Sequence, residues 1–225
     1  APEAGNAKER LRKRPAPAPG PPALLLEWAP AQAEASAAGD LGWTAGPYRL
    51  TDRDGQGAPH TGTYFSVWRK QRDGVWKVAL DLGVSGPAAD LPTTVAPTTR
   101  ARPPGKPAFS IGEMDQALCM RVAREGPTSA YPHFFSAEPR VHRDGVAPLL
   151  GLQAWRTWIN ATPGPVGCES QGAAVAGSGD LGYSWGTWKR YDHSGGNVIA
   201  HGSYARVWRN EGKWAVAVDV AATAE

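Results

Sequence analysis

The chain has 225 residues, 41% hydrophobic and 20% charged, enough for two domains of ordinary size with separate cores. No run of about 18 apolar residues occurs, which excludes a membrane-spanning helix of ordinary type. The formal net charge is +3, and its excess cations gather at Lys8, Arg10, Arg12, Lys13 and Arg14 and again at Arg100, Arg102 and Lys106. No named nucleic-acid motif surrounds them, so they read as a solvated helix face and a solvated linker, and no nucleic-acid partner is expected.

The chain carries one pattern twice. Gly39-Asp40-Leu41-Gly42-Trp43-Thr44 returns as Gly179-Asp180-Leu181-Gly182-Tyr183-Ser184, and Gly62-Thr63-Tyr64 with Val67-Trp68-Arg69 returns as Gly202-Ser203-Tyr204 with Val207-Trp208-Arg209, both 140 positions later. Gly74-Val75-Trp76-Lys77-Val78 and Asp81 return as Gly212-Lys213-Trp214-Ala215-Val216 and Asp219, with two residues lost from a turn. A repeat of this length marks two copies of a domain rather than a solenoid unit.

The first copy, residues 1–86, matches from Ala1-Pro2-Glu3-Ala4-Gly5, which aligns with Ala147 to Gly151, and carries a longer loop around Pro15 to Pro22. It has no counterpart of residues 109 to 146. A sheet with an uncovered apolar face is unstable alone, so the natural chain is expected to extend further toward its N-terminus, or a neighbouring chain to supply the cover. Residues 87–108 hold six prolines and four threonines with no apolar period and read as a semi-extended linker.

The second copy, residues 109–225, reads as a whole domain. Ser110-Ile111-Gly112-Glu113 is a capping box, Ile111, Met114, Leu118 and Val122 recur at helical spacing, and Gly126-Pro127 stops the helix. A short helix is expected over 128–136, a hairpin over 140–150 turning at Asp144-Gly145, and a third helix over 153–160 with Trp155 and Trp158. Long strands follow at about 167–178, 181–192, 197–209 and 213–221. Helices first and an antiparallel meander after is an α+β pattern, with helices covering one face of a curved sheet. Cys119 and Cys168 lack metal-ligand spacing; a disulfide and two buried free thiols are both open readings.

The order helix–helix–hairpin–helix–meander resembles the nuclear transport factor 2-like, or ketosteroid-isomerase-like, superfamily. The Gly-Asp-Leu-Gly-Tyr opening, Gly-x-Tyr-x-x-Val-Trp-Arg and Gly-x-Trp-x-Val look like its bacterial branch of unknown function. The resemblance implies two cone-like α+β domains, each a curved antiparallel sheet covered on its concave face by N-terminal helices. It also implies pairing through sheets, here as an intramolecular pseudo-dimer or a homo-oligomer. The superfamily's isomerases use a carboxylate base with Tyr and a protonated acid as donors. No motif in this chain matches that set, so no catalytic residue is carried over. The fold does not select a chemistry.

Strand alternation groups Tyr204, Arg206 and Trp208 on one face, Trp214, Val216 and Val218 on another run, and Leu181, Tyr183 and Trp185 on a third. These stripes are expected on the concave side under the helices, either as core or as the wall of an aromatic pocket. The pocket candidates are Tyr183, Trp185, Tyr204, Arg206 and His142. A buried Arg206 needs a local carboxylate or a ligand carboxylate. Asp219, which recurs as Asp81, reads as a structural hydrogen-bond acceptor set opposite Trp214, Val216 and Val218. Asp40 and Asp180 read as turn residues. His201 has no histidine counterpart at Thr61. Walker, dinucleotide, zinc and nucleophile-elbow patterns are missing, so neither a cofactor nor a metal is expected. The leading reading is a protein binding a small apolar molecule in the cavity of the second copy. The alternatives are a cofactor-independent isomerase, dehydratase or cyclase, and a non-catalytic module that pairs through its sheets. The Ala-, Pro-, Gly- and Arg-rich composition fits a GC-rich bacterial genome, and the Thr/Pro linker and paired cysteines favour the periplasm or exterior over the cytoplasm.

Overall fold

The computed structural model describes residues 24–54, 57–99, 109–162, 164 and 166–224. The alignment of Ala1 to Gly5, the loop at Pro15 to Pro22, the cations at 8–14 and the linker residues 100–108 lie outside them. Strands β1 (Leu24–Trp28), β2 (Gln32–Ala35), β3 (Leu41–Asp52), β4 (His60–Lys70), β5 (Trp76–Ser85) and β6 (Ala96–Thr99) come first. Helices α1 (Ile111–Glu125) and α2 (Pro127–Ala130) and a 3₁₀ turn (Tyr131–His133) follow. Then come β7 (Phe135–Arg143), β8 (Leu149–Leu150), α3 (Gly151–Asn160), β9 (Val166–Val175), β10 (Leu181–Tyr191), β11 (Val198–Asn210) and β12 (Trp214–Thr223). Among the described residues the architecture is α+β, with two six-stranded sheets: β5-β4-β3-β2-β6 with β1 also on β3, and β8-β7-β12-β11-β10-β9. No helix among the described residues is long and apolar enough to cross a membrane.

Helix α1 starts and stops where its sequence says. Ser110 Oγ accepts from the Glu113 N–H at 3.2 Å, while Glu113 Oε2 accepts from the Ser110 N–H at 2.7 Å. Gly126, at φ +78°, ends the helix in a conformation other residues resist. Ile111, Leu118 and Val122 face a core shared with Phe135, Val141, Trp155, Trp208, Trp214 and Val216. The helix can lie this close because β10 presents glycine there: a Cβ on Gly182 would sit 2.2 Å from Ile111 Cδ1.

Three sequence expectations change. The helix expected over 128–136 is one α turn and one 3₁₀ turn, since Pro132 has no N–H to give the Thr128 carbonyl, and Phe135 already belongs to β7. The sheets are mixed rather than wholly antiparallel, because β7 runs parallel to β12 and β6 parallel to β2. Tight turns force antiparallel neighbours, and neither pair is joined by one. The linker also contributes β6 (Gln32↔Ala96 to Ala35↔Thr99), which covers an edge that β2 would otherwise leave open.

The two sheets share their registers. Leu41 pairs Arg69 as Leu181 pairs Arg209, and β-bulges follow Val67/Trp68 and Val207/Trp208. A Cβ on Gly46 would meet the Ala29 carbonyl at 2.0 Å, and one on Gly186 the Glu169 carbonyl at 2.0 Å, so both bends require glycine. The sheets pack face to face, with Trp43, Phe65 and Val67 of the first in one core with Tyr183, Val207, Val218 and Val220 of the second. Glu34 bridges them: its Oε2 accepts from Arg209 Nη2 at 2.6 Å and from Trp43 Nε1 at 3.1 Å.

The opposite faces differ. Trp214 is 4% and Val216 0% exposed beneath the helices of the second half, whereas their counterparts Trp76 and Val78 are 40% and 49% exposed.

Candidate functional site

The bulge in β12 organises the site. Trp208 pairs Val216 and Val207 pairs Val218, so Ala217 is the extra residue and alternation reverses beyond it. Trp214 and Val216 face the helices, but Val218 turns to the other sheet. Asp219 therefore comes to the helix side beside Arg206, not opposite the Trp214 stripe as strict alternation predicts. Leu181 and Tyr183 also belong to the inter-sheet core, with Trp185 packed against it, rather than to the concave side.

Arg206 is 1% exposed and reaches two carboxylates that are themselves buried, Asp115 of α1 at 0% and Asp219 at 1%. Its Nη1 donates to Asp115 Oδ1 at 2.6 Å, its Nε to Asp219 Oδ2 at 2.8 Å and its Nη2 to the Tyr131 hydroxyl at 3.1 Å. Asp115 Oδ2 accepts from Tyr204 at 2.7 Å and from Ser170 at 2.6 Å. Arg143 makes an ion pair with Asp219 Oδ1 and donates to the backbone carbonyls of Asp219 and His142. Burial opposes the charge on Arg206, but Tyr131, Asp115, Asp219 and Tyr204 hold its pKa well above the ordinary arginine value. Burial likewise opposes ionisation of Asp219, and Arg143 and Arg206 overcome it, keeping that carboxyl below its usual range. The Tyr204 hydroxyl is pushed far up, by burial first and then by Asp115. Among the described residues of the first half no such network occurs, and at the equivalent place Ser66 Oγ donates to Asp81 at 2.5 Å.

A disulfide between Cys119 and Cys168 ties α1 to β9, deciding between the two readings left open by the sequence. Both sulfurs lie 3.7 Å from Arg206 nitrogens.

Beside this network lies a pocket of about 40 Å³ that opens to the surface. At about 10–15 Å³ for each water, its enclosed part has room for about three. Tyr131, Trp155, Trp158 and Trp188 supply its aromatic walls, and Cys168 forms part of the lining. Arg143, Arg190 and Arg206 line it too, and no carboxylate among the described residues does. Arg143 sits over the Trp158 ring at 5.7 Å and Arg190 over the Trp188 ring at 5.8 Å.

Of the sequence candidates, Tyr204 and Arg206 line this pocket, whereas Tyr183 and Trp185 stack on each other at 5.5 Å on the inter-sheet side. His142 is buried on β7, away from the pocket lining, with neither ring nitrogen hydrogen-bonded. Sequence reasoning missed Asp115, Arg143, Arg190, Trp158 and Trp188 as site residues. Asp115 did carry a signal, as a carboxylate one residue from Met114 within the apolar period of α1.

Fold and site together define an α+β protein in which a helix-covered mixed sheet encloses a buried ion network beside a small arginine-lined pocket. The chain is similar to a ketosteroid isomerase-like protein from Erwinia carotovora atroseptica (14% identity, TM-score 0.43, covering 51% of this chain and 94% of that one). It is also similar to a candidate dehydratase of the nuclear transport factor 2-like family from Streptomyces avermitilis (14%, 0.40, 51% and 94%). A third similar structure is a protein of unknown function with a cystatin-like fold from Nostoc punctiforme (15%, 0.40, 51% and 88%). No protein-family model and no curated protein matches the chain.

Proposed function

We propose that this is a non-catalytic binding protein: two nuclear transport factor 2-like domains, residues 1–86 and 109–225, joined by 87–108 and paired through their sheets as a pseudo-dimer. The second domain takes a small molecule in the pocket beneath its helices. The observation that carries this reading is the commitment of the interior carboxylates. A general base must be a free proton acceptor, an imidazole or a carboxylate foremost, within reach of substrate, and the described lining of the pocket holds neither. Asp115 is held by Arg206, Tyr204 and Ser170, Asp219 is held by Arg206 and Arg143, and neither lines the pocket. The isomerase and dehydratase readings lack that base. The shared inter-sheet core supports internal pairing. The disulfide supports an oxidising compartment, periplasmic or extracellular.

The enclosed volume limits the ligand to a small group, or to one whose body projects through the mouth. A fragment library of neutral, anionic and cationic compounds, screened by NMR with the indole signals of Trp158 and Trp188 as reporters, tests the reading. Binding of at least one class at these indoles is expected. No response from any class would remove the binding role and leave sheet pairing alone.

A further inference from the structure

The charges around the pocket do not balance. Three guanidiniums, of Arg143, Arg190 and Arg206, meet two carboxylates, Asp115 and Asp219. Arg206 and Arg143 take both, so Arg190 has no acidic partner among the described residues. Its environment makes this costly. Arg190 Nε is buried without a hydrogen-bond acceptor, and a buried donor left unpaired forfeits its solvation. Burial and the neighbouring Arg143 both hold the Arg190 pKa below the ordinary arginine value. The guanidinium lies over the Trp188 ring, 5.8 Å from its centroid, at the pocket wall. A positive charge with no carboxylate partner among the described residues, set in the pocket wall, points to an anionic ligand.

Resting on the binding role proposed above, we infer that the pocket selects a small organic monoanion, a carboxylate on a flat apolar body, with Arg190 as its counter-ion and the indoles of Trp158 and Trp188 flanking the body. A guanidinium presents two parallel N–H groups that match the two oxygens of a carboxylate, and such paired, charge-assisted bonds are the strong ones. One uncompensated cation suits one negative charge. The aromatic walls, whose Trp158 and Trp188 rings already carry Arg143 and Arg190, suit a planar apolar group better than a hydrated inorganic ion.

Benzoate and its neutral isostere benzamide separate the cases, with affinity read by NMR titration of the Trp158 and Trp188 indoles in the intact chain. Benzoate is expected to bind at least about tenfold more tightly than benzamide, and to weaken as salt rises. Arg190→Gln should remove the preference by weakening benzoate about tenfold and benzamide far less, since only benzoate loses a charge-assisted pair. Arg190→Lys should keep part of it, because the charge remains and the paired geometry is lost. Equal affinities in the native chain, or an Arg190→Gln variant that folds and still prefers benzoate, would overturn the monoanion assignment and leave the binding role standing. A native chain in which benzoate, benzamide and the whole fragment library leave both indoles unmoved would overturn the binding role itself.

Discussion

Asp40 and Asp180 each accept a backbone hydrogen bond from the opposite half of the molecule. Asp40 Oδ2 accepts from the Gly177 N–H at 2.7 Å, and Asp180 Oδ2 from the Ala37 N–H at 2.8 Å. Residues 37 and 177, like 40 and 180, lie 140 positions apart, so the two bonds are reciprocal, as the proposed pseudo-dimer requires. By sequence, both aspartates are ordinary turn residues, and they do hold their own turns as well, through Ser36 and Ser178. Asp40→Ala and Asp180→Ala should each cost about 1–2 kcal/mol in urea unfolding, as lost bonds to charged acceptors. Losses well below 0.5 kcal/mol for both would mean that the exchange contributes nothing to pairing.

The repeat supplies an internal control for burial. Trp208 is fully buried and donates from Nε1 to Ser184 Oγ at 2.8 Å, whereas its counterpart Trp68 is only half-buried. Trp208→Ala should destabilise by about 3–5 kcal/mol, since the helices above cannot collapse into the space. Trp68→Ala should cost no more than about 2 kcal/mol, because less apolar area leaves water there. Equal costs would contradict the difference in cover between the two sheets.

The disulfide closes a loop with a sequence separation of 49. Loop-closure entropy for that length corresponds to about 4 kcal/mol, so the Cys119→Ala/Cys168→Ala variant should unfold at markedly lower denaturant. The effect should centre on α1 and β9, read by hydrogen exchange of α1 amides. Unaltered protection in α1 would show that packing alone holds the helix.

His142 couples stability to pH. Burial first, then Arg140 and Arg143, lower its pKa from 6.5 to about 3, against a weaker opposing pull from Asp219. The unfolded chain therefore takes up a proton below pH 6.5 that the folded chain refuses, and stability falls as pH drops from there toward 3. Between pH 7 and pH 5 this amounts to about 2 kcal/mol. In His142→Leu that part of the acid dependence should vanish, so the native chain should lose about 2 kcal/mol relative to the variant between pH 7 and pH 5. A constant gap across this range would place a charged histidine in the folded state.

Helix α1 and the four long strands β9–β12 were legible because their signals are local. The Ser110/Glu113 box, the Ile111–Leu118–Val122 spacing and the Gly126 stop all act within one helix. The Gly-Asp and Gly-Gly turns act within one hairpin. The pocket was legible only in part. Tyr204 and Arg206 were found because they share a stripe with Trp208. Tyr183 and Trp185 went to the other face, and Asp219 came to this one, because β10 turns its small residues toward the helix and β12 carries a bulge. Neither departure is visible in strict alternation.

By itself the sequence determined the duplicated strand pattern, the caps and turns, and the demand that a buried Arg206 find an anion. Only the tertiary structure decided which anions answer it. Asp115 lies 91 residues away on α1 and Asp219 beyond a bulge, and both approach only once helix, sheet and disulfide are packed together. The physical reason is reach: hydrogen-bonded caps and apolar periods act over a few residues, whereas charge neutralisation in a dry interior depends on whichever groups the completed fold brings within about 3 Å.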